Sequence, residues 1–231
     1  LKYFNKITKL DFKNKFIEVE AGALIEKIIK EIKKNHLTLF SVPGGDKISI
    51  GGAISANTIG KDSTPGISSF GDALISLEIL SNDGKIKKIS KNKYNLNKYV
   101  GAFGNEGIIL KAKLKIKKIK SENVLLKTKI LKNINEVRKE FNYKSDYHYI
   151  QLDPFFRKKH FAISFKADSV KSNKNYYKSI NLKANIFEKE IIRFLGFFIN
   201  SLTWKIFYKF FFLLNSNLNM ILDIHNFHYN S

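Results

Sequence analysis

Apolar and polar positions follow two periods in the first half of the chain, and these periods predict a mixed α+β fold. Apolar residues alternate with lysine over Ile108–Ile119, the pattern of a strand with one wet face. Apolar residues recur every three or four positions over Ala23–Lys34, which predicts an amphipathic helix. Further strands are predicted at Phe16–Val19, Leu37–Val42, Ala73–Leu80 and Lys85–Ile89, with a turn at Asn82-Asp83-Gly84 and a short helical turn at Leu96–Val100.

The pattern changes after Lys120-Ser121-Glu122-Asn123, where we place a domain boundary. Beyond it the sequence predicts strands at Val124–Leu131, Tyr147–Leu152 and Phe161–Phe165, a helix at Ile134–Phe141 and a turn at Asp153-Pro154. From Ile191 onward the chain is helical in pattern and strongly aromatic, but Asn200, Lys205 and Lys209 interrupt it. It therefore lacks the roughly 18 uninterrupted apolar residues of a spanning helix. Two interpretations remain open: core or cap helices, or a surface at a lipid boundary.

Composition excludes several kinds of chemistry. The chain has 231 residues, a formal net charge of +21 and no cysteine. Disulfides, thiolate catalysis and cysteinyl cofactor links are thereby excluded. The charge is almost all lysine, and the arginines are Arg138, Arg157 and Arg193. Because specific phosphate and base recognition favours the planar fork of arginine, the charge indicates attraction to anionic surfaces rather than a specific nucleic-acid partner.

Three glycine-rich segments carry the candidate chemistry: Pro43-Gly44-Gly45, Ser49–Asn57 and Gly101–Ile109. Small residues let the backbone approach a ligand closely, and backbone N–H groups can bind an anion without a charged side chain. The segments match neither the dinucleotide-binding fingerprint G-x-G-x-x-G nor a phosphate-binding loop ending in Gly-Lys-Ser/Thr. His225 and His228 have the spacing of metal ligands on a helix, but only Asp223 accompanies them, so we expect no metal site.

The order of motifs resembles a flavoprotein family. The matching segments are VEAG (Val19–Gly22), a helix, Pro43-Gly44, IGGAISAN (Ile50–Asn57), SFGD (Ser69–Asp72), LEILSNDGKI (Leu77–Ile86) and VGAFGNEGIIL (Val100–Leu110). This order, which spans Phe16–Ile119, resembles the vanillyl-alcohol oxidase and p-cresol methylhydroxylase (PCMH) type of FAD-binding protein. It is most similar to the decaprenylphosphoryl-ribose 2-oxidase branch of that family.

The resemblance implies an α+β fold with non-covalently bound FAD. Residues 1–120 would form an FAD-binding domain of the PCMH type, and residues 121–231 part of a substrate or cap domain that covers the flavin ring. Matched position by position, Lys61 would lie at the substrate edge of the flavin. The implied cofactor contacts are Gly44, Ser49, Ile50, Gly51, Gly52, Ala56, Asn57, Thr58, Ile59 and a backbone contact at Ile109.

Some positions depart from the family pattern. Ile59 stands where the related branch usually has histidine, and Asp62–Ile67 replaces a histidine-rich turn. The Arg/Gly-rich loop that grips the FAD pyrophosphate has no counterpart before Leu10, and the family continues beyond a segment like His225–Tyr229. We therefore expect this chain to be a fragment, and the change at Ile59 leaves the substrate open.

Three functions remain possible at this stage. The first is an FAD-dependent oxidoreductase that oxidises a CH–OH group of a sugar or polyprenyl-phosphate-linked sugar by hydride transfer to flavin N5. The second is an FAD-linked oxidase or dehydrogenase of a small hydroxy acid or sugar alcohol. The third is a non-catalytic basic protein that binds membranes or nucleic acid. For the first, we expect a cytoplasmic location with peripheral contact at an anionic inner-membrane surface.

Overall fold

A computed structural model of the chain describes residues 3–45, 47–61, 69–90, 93–142, 145–157, 160–171, 201–224 and 228. The chain divides into two compact units, Leu1–Lys120 and Ser121–Ser231. The division falls where charge and pattern change in the sequence. Three parts of the sequence lie outside the described residues: Asp62–Ile67, which stands where the family has a histidine-rich turn, the start of the aromatic helical segment at Ile191–Asn200, and His225.

The first unit is built on an antiparallel sheet of six strands. The strands are β1 (Ile7–Asp11), β2 (Phe16–Glu20), β3 (Leu37–Leu39), β4 (Leu74–Leu80), β5 (Ile86–Ser90) and β6 (Ile108–Lys118). Their spatial order is β1-β2-β6-β4-β5 with β6 at the centre, and β3 pairs with the C-terminal end of β6. The helices are α1 (Ile25–Lys33), α2 (Ile50–Ser55), α3 (Lys93–Asn97) and a 3₁₀ turn at Phe70–Ala73.

The lysine alternation of β6 sets the two faces of this sheet. Ala112, Leu114 and Ile116 are buried in the core. Lys113, on the opposite face, lies 3.1 Å from a Glu18 carboxylate oxygen and 3.6 Å from the centroid of the Phe16 ring. Such partly exposed ion pairs contribute little stability, about 1 kcal/mol or less each, so burial of the apolar face is the main stabilising term.

The second unit is a four-stranded antiparallel sheet with helices. Its spatial order is β10-β7-β9-β8. The elements are β7 (Asn123–Leu131), α4 (Ile134–Phe141), β8 (Tyr147–Arg157), β9 (His160–Ser169), α5 (Ser201–Leu214) and β10 (Asn219–Asp223). No helix in the described part of the chain is long and apolar enough to cross a membrane.

Helix α4 is fixed to its sheet by an apolar cluster and a buried carboxylate. Val137 packs with Leu131 and Ala162. Glu140 is buried, with oxygens 2.5 Å from the Lys166 ammonium and 3.3 Å from that of Lys129. Burial alone would raise the pKa of Glu140, but the two lysines outweigh it and leave that pKa below its usual value. The helix is therefore anchored by an ion pair that only the folded sheet assembles.

The structure confirms most predicted elements and corrects others. The turn predicted at Asp153-Pro154 is wrong, because both residues lie within β8. Pairing with β9 shifts register between Leu152 and Arg157, and this irregularity accommodates a proline that cannot donate a ladder hydrogen bond. Strands β1 and β10 and helix α2 were not predicted.

Candidate functional site

Helix α2 lies at the centre of the glycine-rich segments, and its first turn is held by hydrogen bonds within the protein. The N–H groups of Ile50 and Gly51 donate to the carbonyls of Ala23 (2.9 Å) and Ala21 (2.8 Å). The N–H of Gly52 donates to the Ser49 hydroxyl at 3.2 Å, so Ser49 is the N-cap of the helix. These three donors are satisfied. The cofactor contacts predicted at residues 49–52 would therefore come from the surface of the segment rather than from these amides.

Gly51 lies in tight packing. A Cβ atom at this position would lie 3.0 Å from the Ala21 Cβ and 3.1 Å from the Ala21 carbonyl oxygen. The helix therefore approaches the turn after β2 so closely that a side chain at position 51 would push its neighbours apart by a few tenths of an ångström. This contact explains one glycine of the run without a ligand.

The opposite face of α2 offers a surface of very small residues. Gly52 and Ala56 are exposed, whereas Ile50, Gly51, Ala53 and Ile54 are buried. Gly44, in the preceding turn, is also exposed, and a Cβ atom there would have nothing within 4 Å. A flat ligand could reach van der Waals distance of the backbone along this face, because no side chain longer than a methyl group projects from Gly52 or Ala56.

The third glycine segment is bonded directly to the end of α2. The N–H groups of Gly101 and Phe103 donate to the carbonyls of Ile54 and Ser55, each at 3.1 Å. Asn57, whose φ is 45°, accepts the N–H of Gly71 on its side-chain oxygen at 3.0 Å. The structure thus brings together segments that are far apart in the sequence. Ile109, in β6, has a buried side chain, so only its backbone is suited to the contact predicted for it.

Lys61 lies beside the Gly44 turn. Pro43 and Gly60 form an antiparallel bridge, and the Gly60 N–H donates to the Ser41 hydroxyl at 3.0 Å. Burial lowers the pKa of Lys61 from 10.5 to about 8. Thr58 is held by its N–H to the Ala53 carbonyl (3.0 Å), whereas the Ile59 side chain is 70% exposed. The segment Ala56–Lys61 therefore combines a hydrogen-bonded backbone with an exposed apolar group and a lysine whose pKa is lowered.

Sequence reasoning missed two residues that hold this arrangement. The Ser41 hydroxyl fixes Gly60, and no local pattern identifies it. Asp72 accepts both the N–H and the hydroxyl of Ser69, each at 2.9 Å, at the start of the 3₁₀ turn. Serine followed three residues later by an acidic residue is a recognised helix-start signal, so Asp72 could have been identified from the sequence.

Comparison with known proteins identifies the cofactor. Residues 1–90 match the protein-family model of an FAD binding domain. The first unit contains an FAD-binding domain, and its cofactor is FAD. The exposed small residues Gly52 and Ala56 of α2, and Gly44 in the preceding turn, fit a flat cofactor of this kind. The individual contact residues of the FAD-binding domain stay predictions.

Two further likenesses agree with the FAD-binding domain. Decaprenylphosphoryl-beta-D-ribose oxidase of Mycolicibacterium smegmatis is 27% identical over 115 residues, which are 48% of this chain and 25% of that protein. Two structures of alkyldihydroxyacetonephosphate synthase each match with a TM-score of 0.57 and 14% identity. Each match covers 73% of this chain, and the two matches cover 37% and 38% of the length of the respective synthase chains. Together with the family match, these findings confirm the predicted α+β fold and the PCMH-type resemblance.

Proposed function

We propose that this chain acts in the FAD-dependent oxidation of a CH–OH group on a sugar or on a sugar linked to a polyprenyl phosphate. One observation carries the proposal: the alignment with decaprenylphosphoryl-beta-D-ribose oxidase, whose name specifies this type of substrate. The alignment spans a quarter of that protein, so the substrate is inferred from a part of its length.

The residues of the first unit suit the chemistry. When bound, FAD would supply the hydride acceptor, its N5 atom, for the alcohol carbon, while the hydroxyl proton of the alcohol would pass to a base. The exposed small residues Gly44, Gly52 and Ala56 would let the cofactor lie against the backbone. Lys61 lies beside the same turn, and a pKa of about 8 leaves it mostly protonated at neutral pH. As a partly desolvated cation it would stabilise negative charge that develops on the substrate oxygen, since burial strengthens the interaction.

Anaerobic reduction of the bound flavin tests the proposal. We expect a polyprenyl-phosphate-linked sugar to bleach the visible flavin absorbance of the FAD-loaded chain. We expect Lys61→Met to retain FAD but to bleach at least tenfold more slowly, the effect of losing one electrostatic contact in the transition state. Lys47→Met, a change at an exposed lysine, is the matched control.

Soluble compounds provide the alternative outcome. Bleaching by a small hydroxy acid or a sugar alcohol, with none by the lipid-linked sugar, would replace the proposed substrate class with the second one. The exposed Ile59, which stands where the related branch usually has histidine, is the observation that favours testing this class. A visible flavin absorbance that stays unchanged with every compound would contradict both substrate classes.

A further inference from the structure

Phe103 combines two properties that folding disfavours. Its backbone φ is 51°, in the left-handed region that residues with a side chain rarely adopt. Its ring is also 76% exposed. A bulky side chain in this conformation costs free energy, and an exposed ring recovers almost none of it by burial. The fold of the described residues therefore gives no reason for an aromatic residue at this position.

The neighbouring residues show that the chain could place glycine there. Phe103 lies between Gly101 and Gly104, whose φ angles are 71° and 86°. The backbone N–H of Phe103 donates a hydrogen bond to the Ser55 carbonyl at 3.1 Å. Any residue except proline can make this hydrogen bond. The aromatic ring is thus additional to what the backbone needs.

The location of the ring suggests its use. The Ser55 carbonyl immediately precedes the exposed Ala56, and Gly101 lies against Asn57, since a Cβ atom there would be 3.6 Å from the Asn57 Cβ. Phe103 and Ile59 are also among the most exposed large apolar residues of the described part of the first unit, at 76% and 70%. Phe103 belongs to a glycine-rich segment that is bonded to α2, and Ile59 lies two residues beyond the segment that contains α2, whose exposed small residues offer a surface for a flat ligand.

We propose that Phe103 is an FAD-contact residue whose phenyl ring packs against one of the two planar rings of the cofactor, the isoalloxazine or the adenine. Stacking on an aromatic side chain is favourable for any flat heteroaromatic ring, and it would offset the strain at Phe103 only when FAD is bound. This inference rests on FAD binding and is independent of the substrate proposed above.

Phe103→Gly separates binding from folding, because glycine relieves the backbone strain while removing the ring. We expect the melting temperature of the FAD-free chain to be unchanged or higher, and the Kd for FAD to rise about tenfold, the typical effect of losing one stacking contact. Phe103→Trp should retain FAD affinity. The matched control is Lys15→Gly, which relieves a φ of 53° in the turn between β1 and β2 and should leave the Kd unchanged.

Titrations with FMN and ADP identify the ring. If Phe103 contacts the isoalloxazine, Phe103→Gly weakens FMN and leaves ADP unchanged; the reverse result assigns the adenine. A Kd for FAD that changes no more than in Lys15→Gly would overturn the proposal, as would a chain that binds no FAD. Failure of substrate-dependent bleaching with an unchanged Phe103→Gly effect would contradict only the proposed substrate.

Discussion

At the scale of single residues, Lys61 shows how a common residue type acquires a special property. The chain has 41 lysine and arginine residues, almost all of them lysines. Lys61 differs because the Pro43–Gly60 bridge places it next to a turn, where burial lowers its pKa to about 8. A charged lysine in a desolvated position costs free energy of folding, and this cost has a defined pH dependence.

The pKa of Lys61 predicts how stability changes with pH. Between pH 8 and 10.5 the unfolded lysine binds more protons than the folded one, so this group makes the free energy of unfolding rise with pH. We expect Lys61→Met to be more stable than the unsubstituted chain near neutral pH, and this difference to shrink between pH 8 and 10.5. Urea denaturation across this range measures it. Lys47→Met should show no such trend, and a constant difference for Lys61→Met would contradict the burial of Lys61.

At the scale of elements, helix α2 has one buried face and one exposed face of very small residues. The buried face holds Gly51 against Ala21. The exposed face carries Gly52 and Ala56. A glycine-rich sequence that would be a poor helix on its own is stabilised here by the Ser49 cap and by donors from Gly101 and Phe103 at its end.

Substitutions on the two faces of α2 should change different quantities: stability for the buried face and FAD binding for the exposed face. Gly51→Ala should lower the free energy of unfolding by about 1–3 kcal/mol, because the added methyl group overpacks against Ala21. Ala56→Leu should change stability by no more than about 0.5 kcal/mol but should strongly reduce FAD binding, since its side chain would occupy the ligand surface. Chemical denaturation and FAD titration measure the two quantities. Ala56→Ser is the small-residue control, and undiminished FAD affinity in Ala56→Leu would place the cofactor elsewhere.

At the scale of the whole molecule, the chain divides into two compact units, each with its own sheet. The family match falls within the first unit, whereas the aligned solved structures cover 73% of the chain. The assignment of the second unit as a substrate or cap domain stays a prediction. Its sheet has an anchored helix, α4, but no described residue of that unit assigns it a role at the cofactor.

Hydrogen exchange can assign both units in one measurement. FAD should slow amide exchange in residues 44–61 and 101–109, because bound ligand suppresses the local opening that exposes these amides. A cap role of the second unit predicts that FAD also slows amide exchange in β7–β9. Exchange rates there that are the same with and without FAD would contradict this role. The hairpin of β1 and β2 should be unaffected and provides the internal control.

Local chemistry in the sequence determined much of this protein. The lysine alternation predicted β6, the three- and four-residue spacing predicted α1, and Ile134–Phe141 was predicted with the bounds of α4. The order of the glycine motifs resembles that of an FAD-binding family, and the fold that this resemblance implies is confirmed. These properties depend on neighbouring residues, so they can be read without coordinates.

Only the tertiary structure decided what each glycine approaches. Gly51 faces Ala21, the Gly101 N–H donates to the Ile54 carbonyl of α2, and Gly44 has open space beside it, although the three look equivalent in the sequence. The short strand β10 pairs with β7, which lies in a distant part of the chain, whereas β1 pairs with the neighbouring strand β2 and so joins the sheet that β6 centres. The exposure of Phe103 and the burial of Lys61 likewise depend on contacts between segments that local pattern does not encode.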